Sequence, residues 1–357
     1  MRPCTRNDFT IAILCALPVE ADAVEALFDE TYGRLGNSLG KVPGDANTYV
    51  NGRIGKHNVV LCRMPGQGKR IAATVATSLR ISYRQIKLAL VVGACSGAPS
   101  AGGKNLYLGD VLISDTLIEY DFGRRYSWGF ERKTGVKDIL GRPNPEIRAL
   151  LHALKCSRAH NELECDLSRF LEVLQRKQAR WSLPGSPDVL FQASYLHKHR
   201  ARNSSAYCRC SEANVPGGMC DDALMTDCDG LGCFVGPVVR RRNVTAAPKP
   251  SVHIGSIASL DAVMKSTNLR DEIICKEDVA GFEMEGAGVW ESLPTVIIKG
   301  VDDYADGHSS KAWQAYAAAT GASAAKAFLG YWVQEDDATR QDRRTIRFPK
   351  SLLFKGR

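Results

Sequence analysis

Five carboxylates crowd one short stretch of this chain, in GFEMEGAGVW and KGVDDYAD between Gly281 and Asp306. Glu283 and Glu285 close the apolar run DVAGFEM, and Asp302, Asp303 and Asp306 follow the apolar run TVIIKGV. Strand ends of an open α/β sheet are where such folds bind small molecules. Acidic groups at two strand ends can accept hydroxyl hydrogen bonds with one carboxylate and deliver a proton with another. The pattern points to chemistry on a small, sugar-bearing molecule. A further acid, Glu20, follows the first apolar run in CALPVEADAV, with no Arg or Lys between Arg6 and Arg34. A carboxylate in such a loop repels a phosphate dianion.

The cysteines are a second chemical candidate. Of twelve, Cys208, Cys210, Cys220, Cys228 and Cys233 crowd one segment, whereas Cys15, Cys62 and Cys95 lie in core-strand contexts. The crowded five suit zinc, local disulfides or plain thiols; their spacing matches no paired C-x-x-C knuckle, and no metal or organic cofactor is assigned. Cys95 has no apparent His partner and reads as a buried thiol, not a nucleophile.

The elements that must position these groups are legible as alternating strand and helix patterns. FTIAILCA and KLALVVGA are continuous apolar runs, as expected of strands buried on both faces. VEADAVEALF and KRIAATVATSLRISY have helical period, TYVNGRIGKHNVVLC reads as a hairpin, and LGDVLISDTLIEYDF as two short strands. PEIRALLHALK and LSRFLEVLQRKQARW read as helices, after which a Pro-, Gly-, Cys- and Arg-rich stretch shows little periodicity. The alternation returns with SVHIGSIAS and ends in WQAYAAATGASAAKAFLGYW. This predicts one α/β domain over residues 8–333, with an irregular insertion at about 156–250 and a charged tail at 334–357.

Composition restricts the function classes. The chain has 357 residues, 44% apolar and 24% charged, as in ordinary globular proteins. No apolar run approaches the about 20 residues of a membrane span, and Phe9–Leu17 lacks the flanks of a signal peptide. No membrane partner and a cytoplasmic location are expected. The +8 net charge sits in His197–Arg202, Arg240–Arg242 and the tail. Without aromatic interleaving these runs read as solvated surface, so no nucleic-acid partner is expected.

Taken together, ALPVEADAV, MPGQGK with VVGACSG, FEMEGAG and GVDDYAD resemble the nucleoside phosphorylase/nucleosidase superfamily. The order matches from near residue 9 to near residue 333, the insertion excepted. Within it the resemblance is to methylthioadenosine/adenosylhomocysteine nucleosidases and to fungal nucleosidase-like domains found beside NTPase or ankyrin regions. It implies a three-layer fold with a central mixed sheet. It also implies an oligomer, since family members commonly complete the pocket that way.

The resemblance implies roles residue by residue. Asp303 takes the position of the acid that protonates N7 of a purine leaving group, and Glu285 that of the acceptor for the ribose hydroxyls. Glu20 takes the position of the group that deprotonates the attacking water. Met284 falls against the sugar face, or packs in the core. Gly93, Ala94, Cys95 and Ser96 match the strand end lining ribose and water; Ala94 stands where relatives often carry serine. Val263 and Met264 fall where relatives contact the purine, with Leu260 in place of a usual glycine. Asp302 departs from the small residue expected there and is a candidate for raising the pKa of Asp303. Lys265 and His308 lie near the expected pocket.

The resulting expectation is hydrolysis of the N-glycosidic bond of a purine, adenine-type nucleoside, with a small-molecule nucleoside or nucleotide as the partner. Three readings compete with it: a phosphate-dependent phosphorylase, action on AMP or ATP, and a nucleoside-sensing module without catalysis.

Overall fold

The computed structural model describes residues 2–33, 39–199, 208, 220–242, 249–308 and 311–333. The strands in chain order are β1 (Ile11–Cys15), β2 (Glu30–Thr31), β3 (Thr48–Ile54), β4 (His57–Arg63), β5 (Leu88–Gly97), β6 (Ser100–Ala101), β7 (Lys104–Asn105) and β8 (Val111–Glu119). They continue with β9 (Gly123–Tyr126), β10 (Gly129–Arg132), β11 (Asp188–Phe191), β12 (Val238–Arg242), β13 (Val252–Ser259), β14 (Val279–Glu283) and β15 (Thr295–Asp303). The helices are α1 (Pro18–Ala26), α2 (Lys69–Ser82), α3 (Pro145–Leu154), α4 (Ser157–Lys177), α5 (Asp221–Met225), α6 (Thr267–Glu277), α7 (Gly286–Trp290) and α8 (Gln314–Tyr331).

Nine strands form one mixed sheet in the order β14-β13-β8-β15-β5-β1-β4-β3-β2. β14 also pairs antiparallel with β5, through Gly281 with Gly97 and Phe282 with Ser96. The five strands β5, β15, β8, β13 and β14 therefore close into a ring, and β1 to β4 extend it from β5. β1 lies between β4 and β5, parallel to both, and all five of its residues are buried, as its unbroken apolar sequence requires.

The hairpin appears as β3 and β4, paired from Thr48 with Arg63 to Ile54 with His57. LGDVLISDTLIEYDF forms one strand, β8, and not two: the ladder to β13 passes from Ser114 to Thr116 across a register shift that takes up Asp115. α4 also departs from expectation. Leu163, Leu167, Leu171 and Leu174 form a helical stripe in the main core against α8, so the domain continues well past residue 156. The irregular region begins after Trp181, and its described residues include a small folded unit: β11 pairs with β12 over a small core of Val189, Phe191, Ala223, Leu231, Cys228 and Cys233. Cys210 and the tail from residue 334 lie outside the described residues.

α8 crosses β5 and β15 at very close range, and α1 and α4 pack against it. Its alanine-rich sequence suits burial on nearly every side, including Ala317, Ala318, Ala322 and Ala325. Opposite it, a Cβ on Gly300 would lie 2.1 Å from the Ala317 carbonyl oxygen. No side chain fits there without displacing the helix that backs the strand ends. Gly300→Ala is expected to destabilise the fold by about 1–3 kcal/mol, read as a lower urea midpoint at unchanged slope. Gly141→Ala, whose Cβ would meet nothing within 4 Å, is the silent control.

Candidate functional site

Ser96, near the end of β5, is the centre of the site. It pairs with Phe282 of β14 on one side and Asp303 of β15 on the other. The two acidic stretches thus flank β5 from opposite sides, β14 running antiparallel and β15 parallel to it. Ala94, Cys95, Ser96, Val263, Met264, Met284, Glu285 and Asp303 line a single cleft of ≈ 630 Å³, within the usual size of small-molecule sites. Gly93 and Glu20 are not among its lining residues; they lie one layer behind Leu17 and Ala94, which are.

Glu20 sits in the first turn of α1, buried, with its carboxylate folded back over the N-terminal backbone. Its Oε2 accepts the amides of Ala16 (2.9 Å) and Leu17 (2.8 Å), and its Oε1 accepts that of Ala94 (2.8 Å). Gly93 is glycine because a Cβ there would lie 2.0 Å from Glu20 Oε1. Burial raises the pKa of Glu20, against the opposing effects of the Lys299 charge and the amides of Leu17 and Ala94. Oε1, which accepts one amide, keeps a second lone pair.

Glu285 precedes α7, and its Oε2 accepts from Lys299 Nζ at 2.6 Å while Oε1 faces the Gly68 amide at 3.4 Å. Glu283 turns inward: its Oε2 accepts the amides of Glu285 (2.9 Å) and Gly286 (2.8 Å), fixing the turn into α7. Its Oε1 is buried without a hydrogen-bond partner, and burial raises its pKa. Lys299 was missed in the sequence, although a lysine inside TVIIKGV demands a buried partner. Burial lowers its pKa, but the charges of Glu285, Glu20 and Glu283 outweigh that and hold the ammonium above the ordinary lysine range.

Asp303 ends β15. Burial pushes its pKa up to about 6, the Ser96 hydroxyl and Ala305 amide pull it back, and the Asp306 charge adds to the rise. Asp302 stands beside Asp303 as a second acid. Burial and then the charges of Asp303 and Glu20 lift Asp302 itself well above the carboxylate range. The turn beyond is tightly wound: Asp303 Oδ1 accepts the Ala305 amide, Ala305 is left-handed at φ 55, and Asp306 Oδ1 accepts the His308 amide. Burial raises the Cys95 thiol far above its usual range, so it offers no thiolate nucleophile.

Several neighbours differ from expectation. Lys69, in the glycine-rich turn, pairs with Glu119 at 2.6 Å and with Asp121. Leu260 donates its amide to the Glu283 carbonyl and packs with Met264 and Phe282. His308 does not face the cleft; its Nδ1 lies 3.6 Å from Cys228 Sγ. Arg240 and Arg242 are not simple solvated surface. Arg240 donates to the Pro99 and Leu106 carbonyls and to the Tyr304 hydroxyl, and Arg242 pairs with Asp188 at 3.3 Å. Tyr304 in turn donates to Asp188 at 2.6 Å. The insertion also reaches the site directly, since Met225, Thr226 and Asp227 line the cleft. An adjoining chamber of ≈ 360 Å³ shares Asp302 and Asp303 with it.

Comparison with known proteins fits this architecture. The profile described as the phosphorylase superfamily matches residues 10–167. By fold the chain is a nucleoside phosphorylase/nucleosidase-type α/β protein. It is similar to solved methylthioadenosine/adenosylhomocysteine nucleosidases and to a curated fungal protein. The latter is a nucleotide-binding leucine-rich repeat (NLR)-like protein of Hyaloscypha variabilis, 29% identical over 332 residues. That match covers 90% of this chain but 29% of the relative, so the chain spans under a third of its length. Among solved structures, a 5'-methylthioadenosine/S-adenosylhomocysteine nucleosidase of S. pneumoniae, with a transition-state inhibitor, is 18% identical with a TM-score of 0.52; the match covers 90% of this chain and 98% of that one. Futalosine hydrolase of Helicobacter pylori is 14% identical, also with a TM-score of 0.52, covering 91% of this chain and 99% of that one. Among the described residues, no helix is long and apolar enough to cross a membrane.

The buried charges generate a direct test. Glu20, Glu283, Glu285 and Lys299 are each no more than 3% exposed, so none is relieved by water. Lys299→Met strands the carboxylates and is expected to cost about 3–5 kcal/mol at neutral pH. Burial already raises Glu20 and Glu283, and losing the Lys299 charge raises both further above their unfolded values, so the penalty applies at high pH and disappears as they protonate. Urea unfolding should show a gap from wild type that narrows steadily from pH 8 to pH 5.

Proposed function

We propose that this chain hydrolyses the N-glycosidic bond of a purine nucleoside. Asp303 protonates the departing base at N7, Glu285 holds the ribose hydroxyls, and Glu20 takes the proton of the attacking water. The C1′–N9 bond breaks as the water oxygen bonds to C1′, and the products are free base and ribose. An N-glycosidic bond breaks through a cationic ribosyl transition state, so a neutral acid at the base and an anion beside the sugar both lower the barrier. The raised pKa of Asp303 supports the first part, because a carboxyl poised near 6 keeps a protonated fraction at neutral pH. Glu285 and Met284, which line the cleft beside Asp303, support the second.

One observation favours hydrolysis over phosphorolysis. The amides of Ala16, Leu17 and Ala94 form a ready anion site at the start of α1, and the carboxylate of Glu20 already occupies it. A phosphate dianion there would compete with a tethered anion for the same donors. Lys265 and Lys311 line the cleft and favour a second reading, in which the substrate carries a 5′-phosphate.

Adenosine, methylthioadenosine, AMP and ATP, each with and without phosphate, separate these readings by the free base released. Turnover should be unchanged by phosphate; strict phosphate dependence with ribose 1-phosphate as product overturns the hydrolytic reading. Asp303→Asn should lower kcat by about 10²–10⁴-fold, and undiminished base release would remove Asp303 from the acid's role. Because the acid must be protonated, kcat/KM should fall as pH rises through about 6.

A further inference from the structure

The insertion brings together two histidines and two cysteines that the proposed chemistry does not use. His197, Cys228, Cys233 and His308 place one ligand atom each within 4.8 Å of all the others. Cys228 Sγ is 3.6 Å from His197 Nδ1 and 3.6 Å from His308 Nδ1, and Cys233 Sγ is 3.5 Å from His197 Nδ1. With Zn–S of about 2.3 Å and Zn–N of about 2.0–2.1 Å, a tetrahedral ion imposes an S···N edge of about 3.5 Å. All three edges match that length. Ordinary S–H···N bonding does not account for them. Cys228 has one proton for two imidazoles, and His197 Nδ1 faces two thiols.

The histidine rings are held as metal ligands are held. His197 Nε2 lies 2.9 Å from the Thr226 carbonyl oxygen and His308 Nε2 lies 2.7 Å from that of Tyr195. Each ring therefore places its N–H on Nε2 and its lone pair on Nδ1, toward the sulfurs. His308 also packs on the rings of Phe191 and Tyr195, with ring centroids at 4.2 Å and 5.4 Å. His197, Cys228 and Cys233 are buried.

We infer that His197, Cys228, Cys233 and His308 form a closed structural zinc site that pins the insertion to the turn that follows Asp303. Binding releases the two thiol protons and leaves no open coordination position, so the ion serves the fold. The ligands come from two separate parts of the chain. Three belong to the insertion, whose apolar core is too small to stand alone. The fourth, His308, lies five residues past Asp303 on the wound turn of the cleft. The site thereby fixes one wall of the cleft, formed by Met225, Thr226 and Asp227, against the end of β15. A second cluster repeats the pattern with three described ligands: His199 Nδ1 is 3.5 Å and Cys208 Sγ 3.7 Å from Cys220 Sγ, and Asp222 holds His199 Nε2 at 3.1 Å.

The test reads metal and not turnover, so it stands or falls apart from the hydrolase assignment. The full chain, purified without added metal or chelator, should retain zinc by elemental analysis. Cys228→Ser/Cys233→Ser should lower the content by one ion per chain. As a safeguard against misfolding of that variant, wild-type protein stripped by chelator and titrated with cobalt(II) should show thiolate charge-transfer absorption and tetrahedral visible bands. His308→Cys should keep the ion and intensify the charge-transfer band, whereas His308→Ala should weaken retention by ten-fold or more. Protein that retains no zinc, or cobalt spectra without thiolate absorption, overturns the inference; so does a zinc content unchanged in the double variant.

Discussion

A single buried ammonium organises the molecule. Lys299 of β15 stands among Glu20 of α1, Glu283 of β14 and Glu285 at the start of α7, within bonding reach of Glu285 and 3.9 Å from Glu283. Taking such charges out of water is tolerable only if all of them arrive together. The same cluster draws the first helix, the closing strand of the ring and the central strand to one point. Fold and site are therefore one electrostatic problem. Any arrangement of the strands that separated β14 from β15 would leave a buried charge unbalanced.

The sequence revealed most of what local pattern determines. β1 and β5 were legible because strands covered on both faces are continuously apolar, and the β3–β4 hairpin because a short polar break divides two β-prone runs. Unbroken β8 was not, because its polar pair is accommodated by sheet register, which no local pattern encodes. α4 was seen as a helix but assigned to the insertion, since the stripe of Leu163 to Leu174 does not say which partner covers it. Of the site, the cleft positions of Ala94 to Ser96, Met264, Met284, Glu285 and Asp303 followed from family resemblance. The depth of Glu20, the partner of Lys299 and the burden on Asp302 did not, because they depend on which side chains meet across the sheet.

The insertion is the part whose sequence was least informative and whose contacts are most specific. Its basic residues looked like solvent-facing charge, yet Arg240 spans the Pro99 and Leu106 carbonyls and Tyr304, and Arg242 meets buried Asp188. Each guanidinium also stacks over Tyr107, at 4.2 Å and 4.5 Å. Cationic, planar groups with several donors are suited to such junctions, where loop carbonyls would otherwise lack partners. Read as linear text, Arg240, His197, Cys228 and Cys233 show no common target. Folded, Arg240 meets Tyr304, and His197, Cys228 and Cys233 gather at His308.

The position of β15 in the sheet has a consequence for how the protein is made. β15 lies between β5 and β8, yet both neighbours are translated long before it. A nascent chain that has emerged only as far as the insertion has β5 and β8 with nothing between them, and each presents an unpaired edge. Pairings so distant in sequence form slowly, and open strand edges invite association with other chains. During synthesis the N-terminal half must therefore wait, partly folded, for β15, and a pause in translation before Thr295 leaves this protein exposed to misassembly.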